Sequence, residues 1–127
     1  MIEWVMDASA VLAAFRGEPG GDVAHRALSG SMIGSVNLTE VVTRLIDSGS
    51  PPAEAEALVS DAPMTVADFD RSLALRAGAL RAATRHRGLS LGDRACLALG
   101  EREGLPVLTA DRAWEGLDIG VEIRLIR

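Results

Sequence analysis

The chain has no lysine and no tyrosine, a single cysteine, and only two tryptophans and two phenylalanines among its 127 residues. Each shortage excludes something. Without lysine there is no P-loop lysine, no Schiff base and no lysine general base; all 13 basic residues are arginine. With 3% aromatics, stacking of nucleic-acid bases on aromatic rings has little material. The lone Cys96 forms no internal disulfide, and its apolar surroundings predict a buried, reduced thiol. His25 and His86 have no partner at zinc-ligand spacing. No apolar run approaches the roughly 18 residues of a membrane span, and the N-terminus lacks the pattern of a signal peptide. A soluble cytoplasmic protein without a membrane role is expected. The net charge of −5 means that any contact with nucleic acid needs a local basic face or bridging metal ions.

What is present is a dense apolar pattern, 48% of the chain, sufficient for one packed domain over residues 1–127. Ile2–Met6 reads as a buried strand and Ala8–Phe15 as a helix. Asp22 is placed to cap a second helix ending near Leu28. Ser31–Ser35 reads as a short strand. Val36–Asp47 is helical, with Leu38, Val41, Val42, Leu45 and Ile46 as its apolar stripe. Ser50 suits the cap of a helix that ends near Asp61. Met64–Val66 is a brief strand. Asp68–Arg85 reads as the longest helix, with Leu73, Ala77 and Leu80 inward and Thr84 facing solvent. A helix from Ser90 or Gly92 ends near Gly104. Val107–Thr109 is a strand, Arg112–Glu115 a short helical turn, and Val121–Ile126 a final strand. About five short strands alternating with helices describe an α/β fold with a covered parallel sheet.

Four acids stand at the ends of these apolar segments. Asp7 ends the first strand, Asp111 follows Leu108-Thr109-Ala110, Asp93 opens the helix through Ala95–Leu99, and Glu40 lies in Val36–Val42. Acids at strand ends face the crevice where open α/β sheets bind ligands. Two carboxylates about 4 Å apart repel by roughly 4 kcal/mol at an effective dielectric near 20. A converging set therefore needs protons or a hard cation such as Mg²⁺ or Mn²⁺. Ser9 offers a hydroxyl to orient Asp7, and Thr109 one to support Asp111. Each acid also has a plainer reading. Asp7 and Asp111 read as helix caps, Asp93 as a carboxylate favoured by a helix dipole, and Glu40 as part of a solvated face with Asn37, Arg44 and Asp47. Arg71, Arg81 and Arg85 share one side of the predicted long helix, either a solvated face or an RNA-phosphate contact.

Taken together, Met6-Asp7-Ala8-Ser9-Ala10, Asn37-Leu38-Thr39-Glu40-Val41, Ser90-Leu91-Gly92-Asp93-Arg94-Ala95 and Leu108-Thr109-Ala110-Asp111 resemble the PIN-domain ribonucleases, and within them the VapC-type toxins of bacterial toxin–antitoxin pairs. The resemblance implies a PIN-like three-layer α/β domain, a five-stranded parallel sheet flanked by helices. It implies that Asp7, Glu40, Asp93 and Asp111 are catalytic and bind Mg²⁺ or Mn²⁺, with Ser9 and Thr109 in support. It implies an endoribonuclease hydrolysing RNA phosphodiesters with metal-activated water, a cognate antitoxin partner and a homodimer. Rival readings are a phosphoacceptor receiver domain, a haloacid-dehalogenase-like phosphatase and an inactive binding module whose acids only cap helices. The first two are weakened because both use a lysine that this chain lacks.

Overall fold

Successive residues of the central strands point to opposite sides, and that alternation builds two cores. Val5, Met32 and Val107 enter one; Met6, Ile33 and Leu108 enter the other. Strands with no polar face must be covered on both sides, so helices form two outer layers. A computed structural model describes residues 1–127. In chain order it runs β1 (Trp4–Met6), α1 (Ala8–Arg16), α2 (Gly21–Ala27), β2 (Ser31–Gly34), α3 (Ser35–Asp47), α4 (Pro52–Asp61), β3 (Thr65–Ala67), α5 (Arg71–Ala79), α6 (Arg81–Thr84), α7 (Leu91–Glu103), β4 (Val107–Thr109) and β5 (Ile123–Leu125). Single 3₁₀ turns cover Leu28–Gly30, Arg85–Arg87 and Arg112–Trp114. The core of Met6, Ile33 and Leu108 joins α1, α2, α3 and α4 to the sheet, and the second, that of Val5, Met32 and Val107, joins α5 and α7 to its other face. No helix is long and apolar enough to cross a membrane.

All strand pairs are parallel, in the order β3-β2-β1-β4-β5. The chain moves outward from β1 to β3, then returns to lay β4 on the other side of β1. Chain direction across the sheet therefore reverses between β1 and β4. The crevice beyond their carboxyl ends is where such sheets bind ligands. Register sharpens this: Val5 pairs with Val107 and Met6 with Leu108. One step further, Asp7 leaves β1 level with Thr109.

The α/β class, the parallel five-stranded sheet and the order of its elements agree with the sequence reading; several local expectations do not. The predicted helix over Asp68–Arg85 is broken: Asp70 caps α5 through its Oδ1, which accepts the Leu73 N–H at 2.9 Å, and the chain bends at Leu80 before α6. Thr84 continues the inward stripe of Leu73, Ala77 and Leu80, four residues after Leu80. It is fully buried, not solvent-facing, and its hydroxyl donates to the Leu80 carbonyl at 2.8 Å, a local bond that satisfies a buried polar group. Asp22 is not a cap. Gly20 precedes α2 at a φ of 81°, and Asp22 in the first turn pairs with Arg26 at 3.5 Å. Pro51 and Pro52 start α4, so Ser50 lies outside it. Of the α3 stripe, Val41 and Leu45 are buried while Ile46 is exposed. β5 is shorter than expected, and the turn after Asp111 is 3₁₀.

Helix α7 is buried along Ala95–Gly100 and ties the second core together. Leu97, wholly enclosed, is with Leu99 one of its two largest buried anchors. Leu97→Ala is expected to cost about 2–5 kcal/mol, read as a lower urea midpoint with an unchanged denaturant slope.

A carboxylate-lined cleft at the sheet switch point

Asp7 follows β1 in extended conformation and is 5% exposed. Although it stands where α1 begins, its side chain caps nothing. Its Oδ2 accepts two hydroxyls instead: Ser9 Oγ at 2.5 Å and Thr109 Oγ1 at 2.9 Å. Those hydroxyls in turn accept backbone N–H groups, Ser9 from Ala110 at 2.9 Å and Thr109 from Asp111 at 3.0 Å. Two short side chains thus stitch the end of β1 to the end of β4 through one carboxylate oxygen. Thr109 serves Asp7 directly and Asp111 only through the backbone.

The other three acids arrive from different elements. Asp93 sits in the first turn of α7 in a reciprocal cap: its Oδ2 accepts the Ser90 N–H at 2.9 Å, and Ser90 Oγ accepts the Asp93 N–H at 3.1 Å. Asp111 caps the following 3₁₀ turn, Oδ1 accepting from Ala113 N at 2.9 Å. The capping reading of Asp111 is therefore correct as far as it goes, and Asp93, read as a carboxylate favoured by the helix dipole, sits in the first turn of α7 as part of a capping box. Glu40 is not on a solvated face. It is half-buried, and Asn37, enclosed one turn earlier on α3, donates to Glu40 Oε1 at 2.7 Å and to the Gly92 carbonyl at 3.0 Å. Asn37 thereby fastens α3 to the start of α7. Gly92 is required beneath it, since a Cβ there would lie 2.5 Å from Glu40 Oε1.

Asp7, Glu40, Asp93 and Asp111 line one cleft of about 230 Å³, with Ala8, Ser9, Ala110, Arg44 and Arg127. In each of the four carboxylates one oxygen is engaged by the protein and the other has no protein hydrogen bond. No three of them close upon a ready-made ligand set. Arg71, Arg81 and Arg85 are exposed on α5, α6 and the turn after it, and none lines this cleft.

The electrostatics follow from burial. Desolvation is the main cause raising Asp7 to about 6; the Ser9 and Thr109 hydroxyls pull it back, and the charges of Asp93 and Glu40 push it up again. Glu40 is raised as well, first by burial, with the Asn37 amide and the Arg44 charge opposing and Asp93 adding. Cys96 is enclosed as expected, and burial together with these acids drives its thiol well above the ordinary range. It is not a nucleophile.

Four lining or supporting residues were not read as such from the sequence: Asn37, Gly92, Arg44 and Arg127. A signal existed for three. A glycine inside a first helical turn costs about 1 kcal/mol and needs a reason, and Asn37 and Arg44 lie three and four positions from Glu40, one helical turn on either side. Nothing in the sequence marks Arg127.

The profile of the PIN domain family matches residues 4–119. The chain belongs to the PIN-domain family. Solved structures share the fold of this PIN domain. The DNA-bound VapBC of Salmonella typhimurium superposes with a TM-score of 0.75 at 21% identity, covering 100% of both chains. A toxin–antitoxin complex from Klebsiella pneumoniae gives 0.72 at 18%, covering 98% of each. VapC20 of Mycobacterium tuberculosis, a toxin that cleaves the sarcin–ricin loop, gives 0.70 at 18%, covering 94% of this chain and 99% of its own. No curated protein sequence matches significantly.

Two outcomes follow for the PIN domain. Because the folded state holds the Asp7 proton up to about pH 6 while the unfolded carboxyl releases it near 3.8, the folded state binds more protons in that window. Stability in chelator therefore falls as pH rises through it, by roughly 3 kcal/mol at neutral pH. Asp7→Asn is expected to flatten much of that slope and to be the more stable protein at pH 7; urea midpoints across pH check it. Gly92→Ala, by driving the Glu40 carboxylate from its seat, is expected to cost about 1–3 kcal/mol in the same assay, and Glu40→Ala beside it should relieve most of that loss.

Proposed function

We propose that this PIN domain is a metal-dependent endoribonuclease, the toxin component of a toxin–antitoxin pair. The observation that carries the reading is the cleft itself: four carboxylates from four separate segments, each with one oxygen fixed and one free, at the crevice where the sheet reverses direction. An all-oxygen donor set of this kind fits a hard divalent cation, Mg²⁺ or Mn²⁺. Asp7's raised affinity for a proton fits it too, since a buried carboxylate beside other acids awaits a positive partner. Asp7, Glu40 and Asp93 would hold the ion, with Asp111 acting through water or on a second ion. When bound, the cation supplies Lewis acidity toward water and phosphate oxygens.

The protein's own part is positioning. Ser9 and Thr109 fix Asp7 so that only Oδ1 is left for a ligand. Ser90 does the same for Asp93, the Ala113 N–H for Asp111 and Asn37 for Glu40. Groups that orient ligands in this way typically change metal affinity by about 10–100-fold. Because proton and cation compete for Asp7, cation binding strengthens as pH rises through about 6.

The neighbours supply the biology. The Klebsiella structure is a toxin–antitoxin complex, the Salmonella structure a DNA-bound VapBC, and VapC20 is a toxin that cleaves the sarcin–ricin loop. By that likeness we assign RNA as substrate and an antitoxin protein as partner, and a homodimer follows from the family. The caps made by Asp93 and Asp111 favour a second reading, a binding module without catalysis. Asp7 and Glu40 speak against it, since neither caps a helix.

The test is cleavage of total RNA with Mg²⁺ or Mn²⁺ and with EDTA. Cleavage that EDTA abolishes, and that Asp93→Asn lowers on the order of a hundredfold or more, is expected. A hundredfold excess of Mn²⁺ over its Kd should also stabilise the fold by about 2.7 kcal/mol. Absence of both effects leaves the binding-module reading.

A further inference from the structure

Four carboxylates repel an RNA phosphate unless cationic groups share their cleft. Two do: Arg44 and Arg127 line it with the acids. Arg44 stands one turn beyond Glu40 on α3. Its carbonyl accepts from Arg16 Nη2 and Ser48 Oγ, while its guanidinium donates no hydrogen bond and makes no ion pair within the protein. Arg127 is held at the cleft by the strand before it. The Ile126 N–H donates to the Thr109 carbonyl at 2.9 Å, which continues the β4–β5 pairing to the edge of the cleft. Arg127 Nη1 donates to the Pro19 carbonyl at 2.9 Å and lies 3.5 Å from Glu18 Oε1. Gly20 allows this approach, because a Cβ there would lie 2.2 Å from the Ile126 carbonyl oxygen.

One network braces both arginines. Arg16 lies 3.9 Å from Glu18, the acid that pairs with Arg127, and also donates to the Arg44 carbonyl at 3.2 Å. Their positions are set by packing between α1, α3 and the segment after β5. The Nε and Nη2 donors of Arg127 have no protein partner, and Arg44 keeps its whole fork. A guanidinium fork matches two phosphate oxygens.

We infer that Arg44 and Arg127 form a clamp for the RNA backbone phosphates at the mouth of the acid cleft. The clamp rests on the ribonuclease reading for its substrate. It also explains how a chain of net charge −5 binds a polyanion: the attraction is local and sits next to the acids. Arg71, Arg81 and Arg85 lie outside the cleft and are not part of it.

The experiment measures fluorescence anisotropy of a labelled single-stranded RNA with the whole chain in EDTA, across a salt series. Arg44→Gln/Arg127→Gln is expected to bind about tenfold more weakly or worse. Its slope of log affinity against log salt should be shallower by about 1.4, for two lost phosphate contacts at about 0.7 each. Arg71→Gln/Arg81→Gln/Arg85→Gln should keep most of the affinity. Arg44→Lys/Arg127→Lys should keep the slope and lose part of the affinity, a pattern that loss of folding does not produce. An unchanged slope in a glutamine pair with wild-type circular dichroism overturns the clamp, as does a larger loss in the triple variant. Metal-dependent cleavage by the wild-type chain is scored separately. No cleavage with a normal clamp signature indicts the ribonuclease reading; cleavage without that signature indicts the clamp.

Discussion

A single carboxylate buried between two strand ends organises this protein. Asp7 is almost completely enclosed, and a charge there is tolerated only because Ser9 and Thr109 donate hydroxyls to one of its oxygens. Those hydroxyls are held by the N–H groups of Ala110 and Asp111. The loop after β1 and the loop after β4 therefore cannot move independently. The bonds offset part of the cost of burial, and Asp7 still binds its proton more tightly than an ordinary aspartate. A proton relieves that residual cost, and a positive ligand would relieve it in the same way.

The remaining acids are added by elements that have structural work of their own. Asp93 starts α7, and Asp111 starts a turn. Each spends one oxygen on the backbone and keeps one for the cleft. Glu40 is different, because its seat over Gly92 depends on a buried amide and on the absence of a Cβ. Capping and ligand binding are thus not competing explanations for Asp93 and Asp111, since a carboxylate has two oxygens and four lone-pair directions. Membership of the PIN-domain family accords with this construction, in which the sheet switch point supplies the crevice and separate segments supply the acids.

Opposing charge is distributed unevenly around the cleft. Arginines 44 and 127 stand at its border, while Arg76 and Arg102 are engaged in ion pairs with Glu101, Asp70 and Glu103 on the far helices. A net-acidic chain can present a local basic edge in this way, because screening confines electrostatic attraction to about 8–10 Å under ordinary salt. The placement of a few side chains outweighs the total.

Period-two strands, 3.6-period helices and their alternation were legible from the residues alone, because apolar side chains must be buried on the faces where local geometry puts them. Asp7 and Asp111 at strand ends were legible for the same reason: a parallel sheet aligns all its carboxyl ends. Other features depended on contacts between distant segments. The break of the helix at Leu80 is one, since the inward stripe from Leu73 through Ala77 and Leu80 to Thr84 runs across it without interruption. The burial of Asn37 against Gly92 joins residues 55 positions apart, and the arrival of Ile126 at Thr109 brings Arg127 to the cleft from the far end of the chain. Composition and periodicity determined which surfaces were apolar and which positions ended the strands. Only the tertiary structure decided which polar groups meet in the crevice, since that meeting is fixed by strand order and register.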